Sequence, residues 1–146
     1  MMTVIESAIT ATQDIAGAYK PGLKALGAYS KKIVLTDHCE GSVDIDAALA
    51  KKYPAANRWD YAIGYKSKIY FVEVHSANTS EVSVVLKKLQ WLKDWLNEKA
   101  PEMNRHKGVP SFTWIQSGNF NILRGSPQYR LAEQKKILPV KTLSLK

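Results

Sequence analysis

Apolar residues along the chain repeat first at helical spacing and then in alternation, which predicts helices interleaved with strands. Residues 3–19 place apolar side chains at helical spacing, and Lys20-Pro21-Gly22 interrupts them before a shorter helical stretch to about Ala28. Three further elements follow: a strand at Lys32–Thr36, a polar loop at Asp37–Val43, and a brief helix capped by Ser42 or Asp44 and running through Lys52.

The middle of the chain carries the clearest pattern. Apolar and polar or small residues alternate along Arg58–Tyr65, and Lys68–His75 is rich in β-branched and aromatic residues. This pattern predicts two strands joined at Lys66-Ser67. A long amphipathic helix is predicted from a cap near Asn78–Ser80 to about Lys99. One stripe of this helix is apolar: Val82, Val85, Leu86, Leu89, Leu92 and Leu96.

The last third predicts a second hairpin, a helix and a strand. The hairpin consists of Ser111–Gln116 and Phe120–Leu123, and the helix opens at Ser126-Pro127 and ends near Lys136. The tail at Val140–Leu145 alternates as an edge strand does. Because strands and helices interleave, we expect an α/β fold with a mixed central sheet flanked by helices.

Composition narrows the class of protein. The chain has 146 residues, 45% of them apolar, and no repeat or long linker, which predicts a single domain over residues 1–146. No apolar run is long enough for a membrane span and no leader pattern opens the chain, so we expect a cytoplasmic protein. The single cysteine, Cys39, excludes an internal disulfide framework and a multi-thiolate metal site. The net charge of +8 favours anionic partners, nucleic acid first, although many basic domains bind none.

Two acids in the central hairpin indicate a site. If the turn is centred at Lys66-Ser67, Asp60 stands directly across from Glu73 on one face of the sheet. Two like charges at that distance destabilise the pair unless something compensates, and a divalent cation would do so. Ala62 and Gly64 on the same face would leave room for a ligand. The alternative is that one acid pairs with Arg58 or a lysine at a solvated edge.

This pattern resembles the PD-(D/E)xK nuclease superfamily. Over roughly Arg58–Lys99, the chain follows the order of the family's motif: Asp60, a hairpin, Glu73-Val74-His75 in place of Glu-x-Lys, and a long helix. The resemblance implies a restriction-endonuclease-like αβββαβ core, here with the extra C-terminal hairpin and helix. It also implies Mg²⁺ or Mn²⁺ held by Asp60, Glu73 and the Val74 carbonyl, and hydrolysis of phosphodiester bonds in DNA or RNA.

The departure from the motif is at His75. Imidazole can act as a base or hydrogen-bond partner near pH 7 but is not a permanent cation. By resemblance, Lys87 or Lys88 on the following helix would supply that charge. Glu6 is the candidate for the acid that many members carry on their first helix. A catalytically inactive module that keeps the fold and binds nucleic acid or a protein partner stays open as the alternative.

Other surfaces suggest partners. Basic residues predicted to contact nucleic acid are Arg58, Arg124, Arg130, Lys135 and Lys136. Trp91 and Trp95 lie opposite the apolar stripe of the long helix, so they pack within the chain against the second hairpin, form a homodimer surface, or stack on nucleic-acid bases. The run Asp37-His38-Cys39-Glu40 offers metal-capable side chains, but neighbouring residues rarely converge on one ion, which favours an ordinary loop.

Overall fold

A mixed four-stranded sheet forms the centre of the computed structural model, which describes all residues from 1 to 146. Its strands lie side by side in chain order: β2 at Gly41–Asp44, β3 at Tyr61–Tyr65, β4 at Lys68–Asn78 and β5 at Lys107–Asn121. The first three are antiparallel, and β5 runs parallel to β4. A smaller parallel pair joins β1 (Ile33–Leu35) to β6 (Leu143–Leu145). The predicted α/β class with a mixed sheet flanked by helices is confirmed.

Five α-helices accompany the sheet: α1 at Val4–Thr10, α2 at Ile45–Leu49, α3 at Val82–Glu98, α4 at Pro101–Arg105 and α5 at Pro127–Gln134. Single-turn or irregular 3₁₀ segments occupy Gln13–Ile15, Lys24–Lys32 and Thr79–Glu81. The predicted caps Asp44 and Ser126 each accept a hydrogen bond from a backbone amide in the first turn of α2 and α5. None of the helices combines the length and the hydropathy that a membrane crossing requires.

The turn at Lys66-Ser67 sets the register of the central hairpin. Both residues have positive φ, 47° and 62°, as a two-residue type I′ turn requires. Tyr65 pairs with Lys68 and Tyr61 with Val72, which confirms the predicted register. Asp60 is therefore the residue just before β3, and it continues the ladder toward Glu73.

The hairpin is buried on both faces. Ala62, Ile69 and Phe71 belong to a large core that includes α1 and α3, while the alternate residues join a second core under β1 and β6. The expectation that Ala62 and Gly64 leave room for a ligand is wrong. Ile5 of α1 lies over Gly64 so closely that a Cβ there would collide with it.

The predicted C-terminal hairpin is also wrong. Residues 107–121 form one 15-residue strand, β5, parallel to β4. Ser117–Asn119 bulges out between the pairs His75–Gln116 and Ala77–Phe120 instead of reversing the chain. Small polar residues suit a bulge as well as a turn, and the pairing with β4 decides between them.

Two N-terminal boundaries differ from expectation as well. The predicted helix over residues 3–19 ends at Thr10, where the Thr12 hydroxyl donates to the Ala8 carbonyl at 2.8 Å and a 3₁₀ turn follows. The predicted loop at Asp37–Val43 contains the start of β2, because Gly41–Asp44 pairs with β3. Polar residues there adopt extended backbone because a neighbouring strand takes up their hydrogen bonds.

Candidate active site

The carboxylates of Asp60 and Glu73 each accept a hydrogen bond from a backbone amide of the neighbouring segment. The Asp60 amide donates to Glu73 Oε1 at 3.1 Å, and the Val74 amide donates to Asp60 Oδ2 at 3.0 Å. The Glu73 side chain is completely buried, while 19% of the Asp60 side chain stays exposed. The two carboxylates therefore converge at the end of the β3–β4 ladder, as the register predicted.

Lys88 of α3 places its ammonium between the two acids. Lys88 Nζ contacts Glu73 Oε2 and lies 3.4 Å from Asp60 Oδ1. The buried stripe of α3, with Val85, Leu89 and Leu92 in the core, fixes the helix against the sheet and so aims Lys88 at the acids. Lys87, the other predicted lysine, is exposed and bonds to neither acid.

His75 extends this group of charges to a third acid. His75 Nδ1 lies 3.2 Å from Glu73 Oε2, and His75 Nε2 lies 2.7 Å from Glu81 Oε1. The Trp114 indole N–H donates to the His75 carbonyl at 3.0 Å and fixes the backbone there. A carboxylate can only accept, so an imidazole with both nitrogens on carboxylates is best matched as the doubly protonated cation.

Ionisation in this cluster reflects burial and crowding. Burial, reinforced by the charge of Glu73, raises the pKa of Asp60 to about 6, although Lys88 opposes the rise. The hydrogen bond to Glu73 raises the pKa of His75, with Glu81 adding to it against the effect of burial. Burial alone would lower the pKa of Lys88, but the charges of Glu73 and Asp60 outweigh it and raise the pKa. Three carboxylates thus share two cations.

The donor set suits a hard divalent cation with part of its water shell. Mg²⁺ typically binds proteins through one or two carboxylates and keeps several waters. Asp60 Oδ1 and Glu73 Oε2 are the oxygens that already face a cation, the ammonium of Lys88. No group of three or more His, Cys, Asp or Glu residues is placed so that it could hold a metal ion. A divalent ion would therefore compete with Lys88 for these two oxygens.

Val74 is held in the ladder at the third predicted ligand position. Val74 pairs with Ile115 of β5, its amide donates a hydrogen bond to Asp60, and its side chain lies in the second core. The role of its carbonyl as a metal ligand stays a prediction.

Glu6 lies away from this cluster. It occupies the first turn of α1 next to Ile5, which packs at Gly64. Gly64 is four residues along β3 from Asp60, about 13 Å at the usual rise of a strand. Glu6 shares no hydrogen-bond or ion-pair partner with Asp60 or Glu73, and its charge acts instead on Tyr19, whose pKa is raised by burial first and by Glu6 second.

The predicted nucleic-acid contacts divide into two groups. Arg58 is engaged within the chain, since its Nε donates to Asp46 at 2.9 Å and its Nη1 to the Tyr53 carbonyl at 2.6 Å. It is therefore not the partner of Asp60 or Glu73, because Lys88 fills that position. The other four residues are exposed on and around α5: Arg124, Arg130, Lys135 and Lys136.

The tryptophan face of α3 packs within the chain, but against a different partner from the predicted one. Trp95 is 4% exposed and its indole N–H donates to Asp14 at 3.0 Å. Trp91 stacks on Trp95 with ring centroids 5.8 Å apart and meets Tyr53 edge to face at 6.3 Å. The partner is the N-terminal half rather than β5. A homodimer through this face stays a prediction, with less apolar area to offer than the sequence suggested.

The segment Asp37–Glu40 spreads its polar side chains over separate partners. Asp37 pairs with His38 at 3.1 Å, while Glu40 accepts from the Ser67 amide at 3.1 Å. Cys39 donates to the carbonyls of Gly41 and Gly64, and burial raises the pKa of its thiol. These contacts describe a structural loop.

Glu81 is the residue of the cluster that the sequence did not reveal. It lies in the 3₁₀ turn between β4 and α3, six residues after His75, where an acid looks like an ordinary member of a helix start. Its position in the sequence was the one signal that could have identified it. The turn after β4 brings the chain back over the carboxyl end of that strand, where His75 lies.

Comparison of the chain with protein-family models, with curated proteins and with solved structures finds no match.

Proposed function

We propose that the protein is a metal-dependent nuclease that hydrolyses phosphodiester bonds in DNA or RNA. The observation that carries the proposal is the convergence of Asp60, Glu73 and Lys88, two acids from adjacent strands and one lysine from the helix that follows. These are the three charged side chains that the PD-(D/E)xK resemblance requires.

The order of elements supports the same proposal. When β1 of the small sheet and the five-residue helices α2 and α4 are left out, the remaining elements α1, β2, β3, β4, α3 and β5 follow the order αβββαβ, with the first three strands antiparallel and the last parallel. Lys88 restores the cation that His75 cannot supply permanently. A restriction-endonuclease-like core is therefore the arrangement we propose for residues 1–121.

Each side chain has a proposed task. Asp60 and Glu73 would hold Mg²⁺ or Mn²⁺, which when bound lowers the pKa of a water molecule and offsets charge on the scissile phosphate. Lys88 provides positive charge beside the acids for the phosphate. His75 donates from both nitrogens, so its proposed task is to orient Glu73 rather than to accept a proton.

Cleavage assays test the proposal. Purified protein with MgCl₂ or MnCl₂ is expected to cut plasmid or single-stranded substrates, and Asp60→Asn, Glu73→Gln and Lys88→Met are each expected to reduce the rate by about 10²-fold or more. Lys87→Met is the matched control and is expected to cut at the wild-type rate. Absence of cleavage on every DNA and RNA substrate, or equal rates for all four variants, would contradict the proposal.

A non-catalytic module is the second candidate, and two observations favour it. Lys88 already occupies the carboxylate oxygens that a metal would need, and none of the four surface cavities opens onto Asp60 or Glu73. Metal-independent binding of oligonucleotides without cleavage of any of them would support this candidate over the nuclease.

A further inference from the structure

A polar cleft of about 470 Å³ opens at the bulge of β5. Eight residues line it, and none of them is hydrophobic or acidic: Lys31, Lys32, Gln116, Ser117, Gly118, Asn119, Lys141 and Thr142. The sequence prediction of nucleic-acid contacts did not include Lys31 or Lys32. We call these eight residues the lysine cleft.

Two separate segments bring the three lysines together beside the bulge of β5. Lys31 and Lys32 end the 3₁₀ segment before β1, and Lys141 precedes β6. Since β1 and β6 are parallel and Ile33 pairs with Leu143, the residues just before each strand meet at one end of the small sheet. The isolated bridge between Ile115 and Val140 then places this end beside the bulge of β5.

The charges of the cleft are uncompensated. Lys32 Nζ donates to the Gln116 carbonyl at 3.2 Å, and none of the three lysines takes part in an ion pair. Three like charges around one space repel each other, and an anion in the space relieves that repulsion. Ser117 and Asn119 add exposed hydrogen-bonding side chains suited to phosphate oxygens.

The cleft lies beside the acid cluster in the sheet. Gln116 of the cleft pairs with His75 on the neighbouring strand, and both residues precede the bulge at the carboxyl end of the β4–β5 pair. In the sheet the cleft therefore lies one strand away from His75, which contacts Glu73. Phe120, 36% exposed just beyond the bulge, adds an aromatic ring of the kind on which bases stack.

We propose that the lysine cleft binds the sugar–phosphate backbone of a nucleic acid. The idea that the cleft directs the bound strand to Asp60 and Glu73 rests on the proposed nuclease function, whereas the binding itself does not. Phosphate groups are also present in free polyphosphates, so the test includes both sources.

Fluorescence anisotropy with labelled single-stranded and duplex oligonucleotides, in EDTA, measures binding without cleavage. The double variant Lys31→Gln/Lys141→Gln is expected to weaken binding about tenfold and to reduce the slope of log affinity against log salt by about 2. Lys51→Gln/Lys99→Gln is the matched control, with the same loss of charge at exposed positions outside the cleft, and it is expected to change the slope little.

Gly118 provides a second test that leaves all lysines in place. A Cβ at Gly118 meets no atom within 4 Å, so a side chain fits there. Gly118→Asp is expected to weaken binding about tenfold, while the neutral Gly118→Asn is expected to bind as the wild type does.

Equal effects of the cleft variants and their controls would overturn the proposal, and so would tripolyphosphate binding by a protein that binds neither oligonucleotide. EDTA removes divalent metal, so this assay measures binding independently of cleavage. If the cleft variants weaken binding but the protein cleaves nothing in MgCl₂ or MnCl₂, the nuclease proposal fails and the binding proposal stands.

Discussion

Two buried carboxylate centres in this protein compensate their negative charge in different ways. Asp14, with its side chain 4% exposed, receives hydrogen bonds from Lys52, the Tyr53 hydroxyl and the Trp95 indole. Burial alone would raise the pKa of Asp14, but these three donors together outweigh it and lower the pKa. One acid with three donors is a satisfied structural centre.

The Asp60 centre has the opposite balance. Asp60 and Glu73 share the ammonium of Lys88, and the pKa of Asp60 rises to about 6 because burial and the neighbouring charge both disfavour its ionised form. Centres that hold charge at such a cost are frequent at functional sites. The comparison indicates that Asp14 has a full set of donors within the fold, whereas Asp60 and Glu73 share one ammonium between them.

The largest difference between the centres is expected from removal of the lysines. Lys88→Met leaves two buried carboxylates without a cation and is expected to lower the free energy of unfolding by about 3 kcal/mol or more. Lys52→Met is expected to cost much less, because Lys52 is half-exposed and Asp14 keeps two other donors. Urea denaturation measures both. MgCl₂ is expected to restore stability to Lys88→Met only, and similar losses in the two variants would remove the contrast.

The pH dependence of stability separates the centres next. The folded pKa of Asp60, about 6, lies above its unfolded value of 3.8, so its contribution is fully present below pH 3.8 and is lost as pH rises through 6. The wild type minus Asp60→Asn difference in unfolding free energy is therefore expected to fall by up to about 3 kcal/mol between pH 4 and pH 7. Asp14 has the reverse sign, with a contribution present above pH 3.8 and lost as pH falls through its lowered pKa. A pH-independent difference for Asp60→Asn would contradict this assignment.

Neutral substitutions at pH 7 are expected to act unequally. Asp14→Asn weakens three charge-assisted hydrogen bonds and is expected to cost about 2 kcal/mol. Asp60→Asn also removes repulsion with Glu73, and its amide oxygen can still accept from Val74, so a cost within about 1 kcal/mol is expected. Chemical denaturation at constant ionic strength compares the two. A larger cost for Asp60→Asn would reverse their proposed roles.

The smallest effect is expected at Glu81. Glu81→Gln removes one of the two carboxylates on His75, so the pKa of His75 is expected to fall while stability changes by less than about 1 kcal/mol. NMR titration of the imidazole measures the pKa directly. Glu102→Gln, which lies next to half-buried His106 and exposed Arg105, is a control that should leave His75 unchanged.

The central hairpin was predictable because its information is local. The composition of Lys66-Ser67 placed the turn, the turn set the register, and the register placed Asp60 against Glu73. Lys88 could be placed on the correct helix, but neither the sequence nor the family resemblance distinguished it from Lys87. The apolar stripe alone does not reveal which neighbouring lysine reaches over the sheet edge.

The remaining features depend on contacts distant in sequence. Ser117–Asn119 reads as a turn until β4 pairs with both sides of it, and Gly64 reads as open space until Ile5 covers it. Trp95 was expected against the second hairpin or in a homodimer surface, yet Asp14, 81 residues away, accepts its indole N–H. Glu81 and the lysine cleft likewise exist only where separate segments meet.

The most direct test of the proposed site is a crystal of the protein grown or soaked with millimolar MnCl₂ and measured for anomalous scattering. The proposed function predicts an anomalous peak within coordination distance, about 2.2 Å, of both Asp60 and Glu73, with the Lys88 ammonium displaced from their oxygens. Asp60→Asn crystals treated in the same way should lack the peak. A wild-type map without the peak, and with Lys88 still bound to both carboxylates, would contradict a metal centre here.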